Sequence, residues 1–270
     1  MMQRIICAHQ PPFLPWLGIV ESMLVSDVFC IVDDVQFERS GWQNRNDIKT
    51  PNGREWLTLP VVKKGRLGQL ISDVEISPTD FKPLRMWKTI EMNYRKATFF
   101  PLYKDEIADL ILQPAFTMVD FNMRFLEYLK ILLNAKCRFV YSSDLGIGQV
   151  SKIIRPIRIC QAAGCKILYS GSGAKVYMDV PMLERSGLRI VWHDYEKRHV
   201  QYQQQFMRLG FIPCLSFVDY LFNCGAAEMR RVLMASGRAR LAECGVIAEE
   251  YALSDSFRPV DTMEEVIATT

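Results

Sequence analysis

Several side chains able to do chemistry stand at the ends of apolar runs in this 270-residue chain. His9 and Gln10 follow Arg4-Ile5-Ile6-Cys7-Ala8 and open the turn Pro11-Pro12-Phe13-Leu14-Pro15-Trp16. An imidazole there can act as a general base or orient an acceptor amine, because histidine titrates near neutrality. Asp33 and Asp34 close a second run, Val28-Phe29-Cys30-Ile31-Val32. A carboxylate pair of this kind binds amines, sugar hydroxyls or Mg²⁺. Trp42 can stack on a base or sugar face, and Arg45 and Lys49 can hold phosphates or a carboxylate. Ser170-Gly171-Ser172-Gly173-Ala174-Lys175 follows Lys166-Ile167-Leu168-Tyr169. Its glycines admit close backbone approach to an anion, and Lys175 adds a point charge. The stretch is neither a P-loop nor a GxGxxG fingerprint.

The elements that must position these residues follow from the apolar patterning. Residues 4–8 read as a strand, Leu17 to Val25 as a helix, and residues 28–32 as a strand buried on both faces, which is a βαβ unit. Ligands of open α/β sheets bind at the carboxyl ends of the strands, where His9 and Asp33-Asp34 both fall. Three prolines in five positions make the first turn stiff, which suits either an active-site wall or a structural corner that packs Trp16. Gln36 to Gly53 reads as a long polar loop, either functional or a solvated excursion. Asn52-Gly53 is then a tight turn into a strand over 54–61. Lys63-Lys64-Gly65-Arg66-Leu67-Gly68 suits a mobile phosphate loop or, more simply, an exposed turn.

Helical spacing dominates residues 80–134. Leu84, Trp87, Ile90 and Tyr94 fall on one face, and Phe116, Val119, Met123, Leu129 and Leu133 form a second stripe. Strands follow at 138–141, 166–169 and 188–193, the last ending in His193-Asp194-Tyr195. A helix is expected over Asp144 to Gly164, entered through a Gly-containing turn and either bent at Pro156 or regular only from it, and another capped by Ser216 and Gly225. An amphipathic helix is expected over 226–244, then a disordered tail.

Composition excludes several classes. A net charge of +3 is too small for a general nucleic-acid binder. The eight cysteines contain no CxxC pair, sit mostly in apolar runs and read as buried thiols of a reducing compartment. The three histidines and scattered cysteines offer no zinc-ligand spacing. There is no signal-peptide h-region and no transmembrane-length apolar span, so a cytoplasmic protein is expected. Cys7, two residues before His9 on the same strand face, is a further but weaker candidate as a nucleophile.

The set His9-Gln10-Pro11 with Leu14-Pro15-Trp16-Leu17-Gly18, Asp33-Asp34-Val35-Gln36-Phe37, Trp42-Gln43-Asn44-Arg45-Asn46 and Ile48-Lys49-Thr50-Pro51-Asn52-Gly53 resembles the WbqC-like family. Tyr169-Ser170-Gly171, Gly173-Ala174-Lys175, Tyr177, Tyr202-Gln203 and Leu215-Ser216-Phe217-Val218-Asp219 agree in order, so the likeness covers residues 4–225. That family belongs to bacterial O-antigen and surface-polysaccharide biosynthesis, and some members are described as glycine transferases. The expected fold class is α/β, with a mainly parallel Rossmann-like sheet, flanking helices and a helical insertion. The expected organisation is one domain over 1–225, with the insertion at about 80–134, then a C-terminal helix and tail over 226–270.

The resemblance implies an enzyme that transfers a glycyl or similar acyl unit to an amino sugar. His9, Asp33 and Asp34 are then the candidate catalytic residues. Gln10, Trp16, Gln36, Trp42, Asn44, Arg45, Lys49, Ser170, Gly171, Gly173, Lys175 and Tyr177 are the candidate substrate-binding residues. A small-molecule partner is implied, a nucleotide sugar or amino sugar, with ATP and Mg²⁺ an open option and no dedicated metal site. A fainter similarity joins the first turn to nucleotide-binding α/β enzymes with a His-x-Gly-His turn, such as pantothenate synthetase. It implies adenylate formation or nucleotidyl transfer, although His9 has no second histidine nearby in sequence. A non-catalytic nucleotide-sugar binding protein is the third alternative.

Overall fold

A computed structural model describes residues 3–39 and 41–248; the tail expected to be disordered lies, from 249 on, outside them. The central sheet is wholly parallel, in the order β5-β2-β1-β6-β7. Its strands are β1 (Ile5–His9), β2 (Val28–Ile31), β5 (Arg138–Tyr141), β6 (Ile167–Ser170) and β7 (Arg189–Trp192). The chain is an α/β protein with a Rossmann-like sheet flanked, among the described residues, by seven α-helices.

Side-chain alternation along the strands divides the core in two. Ile5, Cys7, Phe29, Ile31 and Tyr169 face a large cluster built with helices α1 (Leu17–Val25), α4 (Met118–Leu132) and α7 (Phe217–Glu243). Ile6, Val28, Cys30 and Leu168 face a smaller one with α5 (Arg155–Ala162) and α6 (Val180–Arg185). Each fully buried aliphatic side chain contributes about 1.5–3 kcal/mol of transfer free energy. Burial on both faces therefore explains why the inner strands β1, β2 and β6 are nearly continuous apolar runs, while the edge strands β5 and β7 each open on an exposed arginine.

A long segment joins β2 to β5. It holds an antiparallel hairpin, β3 (Arg45–Thr50) with β4 (Gly53–Thr58), then α2 (Pro83–Tyr94), α3 (Phe100–Leu112) and α4. Thr117 caps α4 by accepting from the Asp120 N–H at 3.0 Å. The expected helical stripes are largely buried, but Leu84 and Phe116 are exposed, so each stripe is shorter than its spacing suggested.

Two local expectations change and two are decided. Residues 45–50, expected as loop, form β3; its Asn46, Asp47 and Lys49 are buried and hydrogen-bonded at a distance from their own sequence. Pro51 and Asn52 occupy the hairpin turn, with Gly53 already paired to Thr50. Of the two readings of Pro156, the structure has it open the regular helix: α5 begins at Arg155 with Pro156 in its first turn, and Gly146 and Gly148 take positive φ before it. Gly225 ends the helix opened by Ser216, as expected: at φ 79°, ψ 166° it is non-helical, and the second stretch of α7 follows it.

Candidate active site at the carboxyl ends of the strands

The chain leaves β1 to one side for β2 and returns beside β1 at β6, so the switch in strand order lies between β1 and β6. Such a switch opens the crevice in which α/β enzymes bind ligands. His9 ends β1, and Ser170 ends β6 with Gly171 next.

The turn after His9 is held from four directions. Asn122 Nδ2 donates to Pro11 O at 2.9 Å and to Gln43 O at 2.7 Å. Phe13 N donates to Trp42 O at 3.0 Å, Asn46 Nδ2 to Leu14 O at 2.6 Å, and Phe217 N to Pro15 O at 2.8 Å. With these ties Leu14 sits at φ 40°, a left-handed conformation costly for a side-chain-bearing residue. Gln10 accepts a hydrogen bond from Gln43 Nε2, so its amide is committed to the hairpin side of the turn. Trp16 lies against His193, with ring centroids 6.2 Å apart, and against Tyr195 at 5.5 Å.

Two buried histidines stand at strand ends beside this crevice, near enough for the charge of His193 to act on His9. The His9 ring stacks on Phe29 at 6.0 Å. Burial, with the nearby charge of His193, pushes its pKa down to about 3. His193 is fully buried, and burial followed by the charge of Arg198 pushes it down to about 4. Both are thus neutral at pH 7. The Nε2 atoms of both are buried and have no hydrogen-bond partner among the described residues. His193 Nδ1 accepts from Tyr195 N at 3.0 Å, which leaves the proton of the neutral ring on Nε2. His193 was visible in the sequence only as a strand terminus. Its nearness to the switch point depends on β6 and β7 lying on the far side of β1 from β2, which periodicity does not encode.

Asp33 and Asp34 form a network at the ends of β2 and β5. Asp33 accepts from Ser142 Oγ at 3.2 Å, Ser143 N at 3.1 Å and Ser143 Oγ at 2.7 Å. Asp34 accepts from Ser142 Oγ, and both of its oxygens lie 2.7 Å from Arg155 Nη1. Burial raises the Asp34 pKa, but the bonds from Ser142 and Arg155 outweigh it and hold the carboxyl below its ordinary value. Ser142 and Arg155 were not singled out in the sequence, although both follow from the strand-end position of β5 and the first turn of α5.

The other candidates disperse. Lys49 is buried, and its ammonium donates to Gly210 O at 2.6 Å and Gln204 Oε1 at 3.2 Å, so it anchors the 204–210 segment. Asn44 is buried and donates to Leu59 O. Trp42 is 51% exposed and tilts against Trp56, over which the Arg45 guanidinium lies at 4.4 Å. Gln36 is exposed and lines a depression of about 560 Å³ with Arg39, Arg66 and Gln69. Ser170 O accepts from His193 N at 2.9 Å, so β6 fixes the His193 backbone. Lys175 donates to Asp194 at 2.5 Å and lies over Trp192 at 5.4 Å. Gly173 and Tyr177 lie in and just past the short 3₁₀ turn after β6, Tyr177 exposed. Cys7 is buried and its thiol is pushed well up by burial. Among the described residues no three His, Cys, Asp or Glu side chains converge as a metal would require.

A sequence model of the WbqC-like protein family matches residues 10–231. The chain belongs to that family. This WbqC-like protein is also 34% identical over 218 residues to the uncharacterized protein Rv1507c of Mycobacterium tuberculosis (strain ATCC 25618 / H37Rv), a match covering 80% of this chain and 92% of the relative. The matched region contains the turn after β1, the hairpin, the helical insertion, β6, β7 and the start of α7. No solved structure matches this chain. No helix among its described residues is long and apolar enough to cross a membrane.

Proposed function

We propose that this WbqC-like protein is a transferase that attaches a glycyl or similar acyl unit to an amino sugar, carried on a nucleotide, in the assembly of surface-polysaccharide precursors. The observation that carries the reading is the pair of neutral, buried imidazoles at the β1–β6 switch point, each with an unpartnered Nε2. A neutral His9, its pKa pushed down to about 3, is a weak base at rest; it orients the acceptor amine and takes its proton only as the nitrogen becomes cationic on bonding to the acyl carbon. The leaving group then departs with the electron pair of the bond it breaks, and the proton returns to it from His9. Placed general bases contribute on the order of 10²–10⁴ in rate. The stiff, four-times-anchored turn suits this role, since it holds the base in one orientation.

The test is incubation of the purified protein with glycine, ATP, Mg²⁺ and a panel of UDP- and dTDP-amino sugars, followed by mass spectrometry. A product heavier by one glycyl unit, its formation slowed roughly 10²–10⁴-fold in His9→Ala, is the expected result. Pyrophosphate release dependent on glycine would indicate an adenylate donor. Product formation undiminished in a folded His9→Ala variant would end the assignment of His9 as base.

A further inference from the structure

We infer that His193 and Gly171 form an oxyanion subsite at the sheet rim, where the His193 Nε2–H receives one anionic oxygen of a phosphate or carboxylate. The inference rests on the siting of ligand between β1 and β6 proposed above, and not on acyl transfer.

The His193 ring is a fixed donor. Its Nδ1 is occupied by the Tyr195 N–H at 3.0 Å. Its own N–H donates to Ser170 O at 2.9 Å, and its carbonyl accepts from Arg198 Nε at 2.8 Å and Nη2 at 2.5 Å. The backbone on both sides of the imidazole is therefore pinned. Nε2–H is the one hydrogen-bonding atom of the ring left over, and buried polar groups are nearly always paired.

Gly171 is what lies over that atom. Its φ of −72° and ψ of 152° are ordinary extended backbone that any residue adopts, so conformation does not call for glycine there. Space does. A Cβ at this position would stand 3.1 Å from His193 Nε2 and 3.7 Å from Cε1, covering the donor from the rim side.

Three cations, Arg198, Lys175 and Arg240, bring positive charge to bear on the His193 ring, and each is also paired with a carboxylate: Arg198 with Glu21, Lys175 with Asp194, and Arg240 with Asp194 and Glu243. Asp194 itself is held at φ 45° by bonds from Ser172 Oγ at 2.8 Å, Lys175 at 2.5 Å and Arg240 at 3.3 Å. This places a strained, over-determined residue directly after the donor, as at many ligand sites.

The experiment is a titration of full-length protein, labelled with ¹⁵N-histidine, with inorganic pyrophosphate and separately with acetate, following the His193 Nε2–H signal. A saturable shift with pyrophosphate assigns the subsite to phosphate, and one with acetate assigns it to carboxylate. Gly171→Ala should weaken that response at least tenfold while leaving the melting temperature and the His9 signals in place. No shift with either anion in the wild type, or equal affinity in a folded Gly171→Ala, overturns the proposal. The wild-type titration alone decides the matter should the variant fail to fold. Because binding is read without turnover, its failure is separable from failure of the His9 mechanism.

Discussion

Asn122 and Pro11 are joined by a buried hydrogen bond of 2.9 Å, and the same amide nitrogen reaches Gln43 O at 2.7 Å. One side chain of α4 thus ties the turn after His9 to the segment leading into β3. Asn122→Leu keeps the volume but leaves two buried carbonyls without a donor, at a cost of about 1–3 kcal/mol. The variant should melt lower than wild type, and hydrogen exchange at the Phe13 amide should accelerate. Unchanged exchange in a protein that melts normally would show that the prolines alone hold the turn.

The two neutral histidines make stability depend on pH in a defined window. His9 and His193 are pushed down to about 3 and about 4, whereas the unfolded chain protonates histidine near its ordinary value of about 6.5. Between these limits the unfolded state binds more protons, so stability rises with pH and is fully present only above about 6.5. Each histidine contributes a loss of up to about 1.4 kcal/mol per pH unit on acidification. Urea midpoints at pH 7.5, 6 and 5 should fall accordingly, and the slope should lessen in His9→Gln and His193→Gln. A slope identical in both variants would assign the acid sensitivity to other groups.

Gly225 breaks α7 in a backbone region open almost solely to glycine, and a Cβ there would meet the Phe99 ring at 2.9 Å. The close approach is tightened by the Phe99 N–H, which donates to Phe222 O at 2.9 Å. Gly225→Ala should therefore cost about 1–3 kcal/mol in backbone strain before any displacement of the ring. That corresponds to a melting temperature lower by roughly 2–4 °C per kcal/mol. A neutral effect by calorimetry would mean that α7 can straighten through this position.

The sheet was largely legible because burial on both faces leaves a clear apolar run in β1, β2 and β6. His9 and Asp33-Asp34 could be placed at strand ends for the same reason. Strand β3 was not legible. Its buried residues are polar, and Asn46, Asp47 and Lys49 are hydrogen-bonded to Leu14, Arg54 and Gly210, partners that only the folded chain supplies. The same blindness hid His193, whose significance comes from its position relative to His9 and from the missing side chain at Gly171. Lys49 illustrates the converse. Its place in a polar stretch suggested an open cation, whereas its ammonium is spent inside the protein.

The order of the strands also sets a timetable for synthesis. β1 is the centre of the sheet, yet its neighbour β6 is paired through Ile5 with Ile167, most of the chain later. At bacterial or eukaryotic elongation rates, the first strand waits on the order of ten to thirty seconds on the ribosome before that partner emerges. During that interval one edge of β1 is unprotected, and only β2 and β5 with the intervening helices can shelter the other side. The three-stranded half, β5-β2-β1, is therefore the natural nascent intermediate. Substitutions that weaken the helical insertion should lower the yield of folded protein in cells more than they lower the stability of molecules that have completed folding.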